Sequence, residues 1–407
     1  MNAQKTLHHV DLTPTALVDV RDDRSSLILQ LIWLLPLLLM MLAALPARAE
    51  HIHYLSFNNV KWTDQDLTHI TGGPLVGSES AVAAFYTTPN HQFHVSYSAS
   101  NKHINQLYFN GSSWSNQDLT ALTGGPLSLG TGVAGFAIGN LQHVFYLGND
   151  LHVHQLYYNN SNWVDQDITT LAGGPLTDFN SLVAFPTLPN GQFHVYYLQN
   201  NFGHIHELLF NGTSWSDSDI TASSKGEWSD RGWMTGFATG IKPHLFFVGF
   251  DASDNRHLNR LYRTNSKWVD EDLSAKVSGL PISPATGLAS FAVSSGVLEA
   301  YCVTNDSDVH QLTLKNGHWS DLDLTALTNG PIDGSLNAMI AFKTPPNGQF
   351  HLYYEPNDVY HLNFNGTTWS DDDLTTLTNG GLPNGFGGMG GFAIKNAQHV
   401  FYVALGN

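Results

Sequence analysis

From residue 50 to the C-terminus the chain is a succession of short runs in which apolar and polar residues alternate, broken by Gly, Asn and Asp. That period of two marks half-buried β-strands rather than helices. Between Gly132 and Thr169 the runs are GVAGFAIG, QHVFYLG, HVHQLYYN and NWVDQDIT. They are separated at Gly139-Asn140, Gly148-Asn149-Asp150 and Asn159-Asn160. The last of these breaks is elsewhere Asn110-Gly111, Asn211-Gly212, Asn316-Gly317 or Asn365-Gly366, which predicts tight hairpins with positive φ at both central residues.

The four-strand unit repeats. Its last strand opens with Trp-x-Asp-x-Asp-Leu-Thr or a near variant, at Trp62, Trp114, Trp163, Trp215, Trp268, Trp319 and Trp369, 49 to 53 residues apart. A Gly/Pro loop follows, as in Gly72-Gly73-Pro74 and Gly124-Gly125-Pro126. The repeat region opens with a third and fourth strand (HIHYLSFNN, KWTDQDLT) and closes with a first and second (GGFAI, QHVFYVAL). Complementary half-units hide the sheet edges that an open stack would expose. The expectation is an all-β fold over residues 50–407, a seven-bladed β-propeller of four antiparallel strands per blade, closed by pairing the two terminal half-blades.

Residues 1–49 follow another logic. Leu27 to Ala47 is almost uninterrupted hydrocarbon, with Arg21 and Arg24 before it and Ala47-Arg48-Ala49 at its end. This reads as a signal peptide cut after Ala49, or as an uncleaved membrane anchor through residues 27–47. Either places the propeller outside the cytoplasm, secreted or extracytoplasmic.

Beyond that leader stand 13 Lys and Arg against 30 Asp and Glu, a net charge of −17. Such a balance excludes nucleic acid and anionic membrane as partners, since both need a basic face. Cys302 is the only cysteine, so no intrachain disulfide braces the fold and stability must come from burial between repeats.

Superposed, the repeats form columns. The second strand carries His94, His143, His194, His244, Glu299, His351 and His399; the third carries Tyr54, Gln106, Gln155, Glu207, Arg260, Gln311 and His361. The two flank one turn symmetrically, so each blade is expected to set a His beside an amide or carboxylate, with a Trp nearby. Flat aromatic surface plus fixed neutral donors and acceptors suits a pyranose. The candidate ligand-binding residues are therefore His94, Gln106, Trp114, His143, Gln155, Trp163, His194, Glu207, Trp215, His351 and Trp369. The fullest matches are His143/Gln155 and His194/Glu207, with Trp163 and Trp215 in the same repeats, and the best affinity is expected around Glu207. The clefts of His244/Arg260, Glu299/Gln311 and His399/Tyr54 are expected to be weak or empty. Each His is expected to titrate near neutrality unless its surroundings shift it.

The run of second strand, turn, third strand and Asn-Gly-x-x-Trp resembles the blades of fungal fucose-binding lectins of the Aleuria type and, by blade number, seven-bladed Photorhabdus-type bacterial lectins. The resemblance covers residues 50–407. It implies sugars gripped between neighbouring blades by an Arg on the second strand and a Glu on the third, with an aromatic on the apolar sugar face. Here the Arg slot holds the His column, the Glu slot holds the Gln/Glu column, and only Glu207 keeps the acid. The partners implied are glycans or glycoconjugates.

Other readings compete. The polar columns are equally those of structural residues that satisfy buried blade faces. A scaffold propeller would bind secreted or surface proteins through its loops. Paired carboxylates such as Asp165/Asp167, Asp217/Asp219 and Asp321/Asp323 could hold Ca²⁺, although solvation of the outermost strand is the favoured role. The pairs His51/His53, His152/His154 and His204/His206 offer two ligands each to Zn²⁺, too few for a tight site. Hence no cofactor and no metal are expected. No GxSxG, HExxH or P-loop occurs, and chemistry needs one asymmetric constellation where this chain repeats its groups, so no enzyme is expected. One stretch breaks the repeat: Ser223 to Trp233 (SSKGEWSDRGW) replaces a Gly/Pro loop.

Overall fold

The computed structural model describes residues 49–406 apart from 179–180, 201–202, 252, 265–266, 278–279, 281–286, 333–337 and 386, with the side chains of 230–233 also outside the description. The expected leader, through residue 48, lies outside the described residues. The rest forms seven four-stranded antiparallel sheets. Blade I comprises Val82–Tyr86, Phe93–Ser98, Ile104–Phe109 and Trp114–Asp118. Blade II is Ser128–Ile138, Leu141–Gly148, Val153–Tyr158 and Trp163–Asp167; blade III is Leu182–Thr187, Gln192–Leu198, Ile205–Phe210 and Trp215–Asp219. Blade IV runs Trp228–Thr239, Lys242–Phe250, Arg256–Thr264 and Lys267–Asp272, and blade V Leu288–Ser294, Val297–Val303, Val309–Lys315 and His318–Asp323. Blade VI contains Met339–Lys343, Phe350–Tyr354, Tyr360–Phe364 and Trp369–Asp373. Blade VII joins Met389–Ile394 and Ala397–Leu405 to Glu50–Phe57 and Trp62–Asp66.

The ring closes as the repeat pattern requires. Glu50–Phe57 pairs along its whole length with Ala397–Leu405, for example Tyr54 opposite Phe401. First strands of successive blades lie against one another around the ring. The apolar core is correspondingly split into seven clusters, each shared by two neighbouring blades. Phe85 of blade I with Val144 and Tyr146 of blade II makes one, and Phe145 of blade II with Tyr197 and Trp215 of blade III makes another. No blade buries its faces alone, which is why the repeats stand or fall together.

A single-turn helix follows each fourth strand, where the repeat pattern predicts only a Gly/Pro loop. The first is Leu67–Thr71, capped by Asp66, whose carboxylate accepts the His69 N–H, and ended by Gly72 at φ 64°. Asp118, Asp167, Asp219, Asp272, Asp323 and Asp373 cap the other six in the same way. The next Thr but one clasps the turn to the sheet: Thr68 Oγ1 accepts from Ile52 N at 2.9 Å and Thr169 Oγ1 from Val153 N at 2.8 Å. Asp-Leu-Thr-x-x-x-Gly was therefore a capped-helix signal in plain view.

Hairpin turns depart from expectation too. In blade V, Asn316 and Gly317 form the expected two-residue turn, with φ 54° and 80° between Lys315 and His318. In blade I, Phe109 pairs with Trp114 across a four-residue loop. There the Asn110 carboxamide oxygen accepts the N–H groups of Ser112 and Ser113 at 2.9 and 3.0 Å, and only Gly111 needs positive φ. The Asn serves its side chain, not its tolerance of left-handed backbone.

Candidate functional site

The two columns meet, but diagonally. His94 lies opposite Tyr108, and Gln106 opposite Ser96, so His and amide are offset by two residues and keep a common face. Both are almost fully buried, as are His143, Gln155, His194, Glu207 and His351. His94 Nδ1 is 3.2 Å from Gln106 Oε1, His143 Nδ1 is 2.8 Å from Gln155 Nε2, and His194 Nδ1 is 2.7 Å from Glu207 Oε1. His351 Nδ1 faces His361 Nε2 at 3.0 Å, and His399 Nδ1 faces the Tyr54 hydroxyl at 2.6 Å. The other nitrogen of His94, His194, His244 and His351 reaches a Thr hydroxyl at the end of the first strand, 2.9 to 3.2 Å away. Burial pushes the imidazoles of His94, His143, His244, His351 and His399 down to about 4. These five are neutral across the neutral range where titration was expected.

The acidic pairs are brackets. Asp167 caps its helix with Oδ1 and takes His152 Nδ1 on Oδ2 at 2.7 Å. Asp165 takes His154 Nδ1 at 3.0 Å and the Tyr146 hydroxyl at 2.9 Å. Asp217/Asp219 repeats the pattern with His206, Tyr197 and His204, and Asp321 takes His310. The His pairs considered for Zn²⁺ are thus bound to these carboxylates, and the favoured role of solvating an outer strand gives way to tying the third strand to the fourth.

Space for a ligand lies between blades, and the Trp that walls each cleft comes from the following repeat. Between blades I and II a cleft of about 400 Å³ is lined by His94, Tyr108, Gln117, Gln142, Tyr158 and Trp163. Its polar floor is a chain of amides: Gln117 Nε2 donates to Gln106 Oε1 at 2.8 Å, and Gln106 Nε2 to Gln142 Oε1 at 3.2 Å. The Gln117 carbonyl and the Gln142 amino group stand outside that chain. Between blades V and VI a cleft of about 790 Å³ holds Glu299, Gln311, Thr313, Lys315, Phe350 and Trp369. Glu299 Oε2 accepts from Gln311 Nε2 at 2.9 Å and Thr313 Oγ1 at 2.7 Å, and burial pushes its carboxyl up to about 7. Between blades VII and I a cleft of about 530 Å³ is lined by Tyr54, Gln65, Phe93, Ser112, Ser113 and Trp114.

At two other junctions, among the described residues, the Trp is itself buried. Trp215 and Trp268, which face His143/Gln155 and His194/Glu207, are each only 9% exposed. Phe193 packs tilted against His143 with ring centroids 4.6 Å apart, and Tyr196, whose hydroxyl donates to Glu207 at 2.9 Å, meets Trp268 edge-on at 6.1 Å. Arg260 pairs with Glu271 at 2.8 Å, under Trp319, whose indole N–H donates to the same carboxylate at 3.3 Å. Trp62 meets His361 edge-on at 5.4 Å, as Trp114 meets Tyr54. Of the residues expected to bind ligand, His94, Trp114, Trp163 and Trp369 line open clefts, with Gln106 on the floor of one. His143, Gln155, His194, Glu207 and Trp215 sit in filled junctions, and His351 is bonded to His361 and Thr344. Glu299/Gln311 and Tyr54, expected to mark weak clefts, line two of the open ones. Gln117, Gln142, Tyr108 and Thr313 were missed because they lie one step off the columns, and no motif flags them.

No family model matches the sequence, and no curated protein matches it significantly. Among solved structures, AofleA from Arthrobotrys oligospora is 13% identical with a TM-score of 0.52, covering 82% of this chain and 91% of that one. A variant of AofleA with three arginines replaced by alanine gives the same identity and coverage, with a TM-score of 0.51. A fungal lectin from Aleuria aurantia, described as a six-bladed β-propeller with a novel fucose recognition mode, is 13% identical with a TM-score of 0.48, covering 80% and 88%. The chain is thus structurally similar to fucose-specific fungal lectins, and what is shared at this identity is the propeller fold.

Proposed function

We propose that this chain is a multivalent, non-catalytic carbohydrate-binding protein, acting outside the cytoplasm, with sugars held in the clefts between blades VII and I, I and II, and V and VI. One observation carries the reading. Three open clefts at the same place in the repeat each set a Trp of one blade against amide, hydroxyl or carboxyl groups of the preceding blade. A sugar needs such a flat apolar wall beside fixed polar groups. Several shallow sites on one rigid ring gain by avidity on a glycan-bearing surface. Structural neighbours are named as fucose lectins, which supports the ligand class. Fucose itself is less well supported, because the one Arg in either column, Arg260, is bound to Glu271. The apolar run Leu27–Ala47 supports export.

The test is a glycan array with and without chelator, followed by calorimetry on wild type, Trp163→Ala and Trp369→Ala. Each substitution is expected to remove one bound sugar per chain. A protein that retains no glycan, or whose stoichiometry ignores both changes, overturns the reading. The rival, a protein-binding scaffold, is favoured by the exposed aliphatic side chains on the short helices, Ile70, Leu122, Leu171, Leu327 and Leu377. Three of them rim the open clefts, so they serve the sugar reading equally well.

A further inference from the structure

The loop that breaks the repeat brings a carboxylate where none of the other blades has one. Eight residues after the helix-capping Asp, the chain has Pro74, Pro126, Pro175 and Pro331 in four repeats; here it has Glu227. Its carboxylate reaches His257 Nδ1 at 3.0 Å, and the same nitrogen is 3.1 Å from Asp272 Oδ2. In four other blades the corresponding nitrogen, of His51, His103, His152 or His204, meets one Asp at 2.6 to 2.7 Å. One N–H cannot serve two carboxylates at full strength, and at His257 both stand back.

Around this trio the usual donors are gone. Asp270 is the counterpart of Asp165, but its imidazole and phenol partners are replaced by Asn259 and Phe247. Its Oδ1 is buried without a hydrogen-bond partner, and its Oδ2 accepts the backbone N–H of Glu227, at 2.9 Å. Asn259, 1% exposed, turns its amide to Glu227 Oε2 at 2.7 Å and leaves Oδ1 buried and unpartnered. Gly226 and Gly249 permit this approach: a Cβ on the first would lie 2.3 Å from Asp270 Oδ2, and on the second 2.7 Å from the Asn259 amide. Asp251 adds a further carboxylate 3.9 Å from His257 Nε2.

We propose that Glu227, His257 and Asp272 form a binding site for one divalent transition-metal ion, of which Zn²⁺ is the representative. Three ligand atoms, one from each of the trio, lie within 4.8 Å of one another. Tetrahedral metal–ligand bonds of about 2.0–2.2 Å imply ligand–ligand edges of roughly 3.3–3.6 Å, so the 3.0 and 3.1 Å separations need only a few tenths of an ångström of opening. Imidazole with carboxylates selects Zn²⁺ and its neighbours over Ca²⁺, which takes oxygen alone. The ion would neutralise the carboxylates that the lost His and Tyr leave uncompensated. This departs from the expectation of no metal and is independent of sugar binding.

The test uses the full chain without an affinity tag, stripped with EDTA and titrated with Zn²⁺ by calorimetry and by melting temperature. Wild type is expected to bind one Zn²⁺ with micromolar or better affinity and to melt higher when loaded. Glu227→Gln is expected to weaken binding at least tenfold and to lose the thermal gain, while its EDTA melting curve matches wild type. His204→Asn, at the one-carboxylate counterpart in blade III, is expected to leave the stoichiometry at one. Wild-type affinity no better than millimolar, binding unaltered in Glu227→Gln, or displacement of Zn²⁺ by millimolar Ca²⁺ would each overturn the proposal.

Discussion

The junction between blades V and VI stands open, whereas the junction between blades III and IV is sealed, although one repeat builds both. In the first, Glu299 lies opposite Thr313; in the second, His194 lies opposite Leu209. In the first, the small hydroxyl side chain lines the cleft in front of Trp369; in the second, Trp268 is buried with Tyr196 edge-on against it. Ser56, opposite His399, marks the open junction of blades VII and I in the same way. Blade I carries the large Tyr108 there, and the facing residue of blade II is Gln142, which joins the amide chain. Residues beside the polar columns thus differ between the open and the sealed junction, while column residues line the open ones.

The harshest way to test this partition is to cut the ring. Removing residues 387–407 takes away both inner strands of blade VII and the partner of Glu50–Phe57, and cooperative unfolding is expected to vanish. A truncated chain that melts like the whole would break the premise that all seven junctions share one fold.

Next in size are the tryptophans. Trp215→Ala and Trp268→Ala, in sealed junctions, are expected to cost about 3–5 kcal/mol of stability each and to leave sugar stoichiometry alone. Trp163→Ala and Trp369→Ala should show the opposite split, with a smaller loss in denaturant midpoint and one site gone. Equal stability losses in both classes would erase the distinction.

Glu299 sharpens it through pH. Its folded value of about 7 stands above the ordinary 4.5, so the folded state holds a proton that the unfolded state gives up between those limits. Wild type should therefore lose stability relative to Glu299→Gln as pH rises from about 4.5 to 7, by an amount on the order of a few kcal/mol, with a constant gap above. Urea midpoints of the two proteins at a series of pH values read this directly, and parallel curves would contradict it.

Thr313→Leu transplants the blade III residue into the open cleft. It is expected to weaken sugar binding there at least tenfold, and full affinity in the variant would refute a steric role for this position. The smallest effect expected is at a cap: Asp323→Ala should cost about 1 kcal/mol, the usual worth of an N-cap. Asp167→Ala should cost more, because it also frees His152. Thermal melts of the pair decide the order.

The architecture was legible in the sequence, because it follows from local, repeated constraints. Seven spaced Trp-x-Asp-x-Asp strands, period-two alternation and complementary terminal half-units leave one way to bury every sheet face and hide every edge. The columns were legible as well, since a two-residue offset in a hairpin preserves the face. What they do was decided by packing: whether a His is neutral or a Glu meets solvent depends on groups some fifty residues away in the next blade. Trp163 serves His94, not the His143 of its own repeat, because the cleft forms between sheets and not within one. Sequence periodicity sets which residues share a face. Only the tertiary structure sets how much volume remains in front of that face, because volume is a sum over neighbours that no single repeat contains.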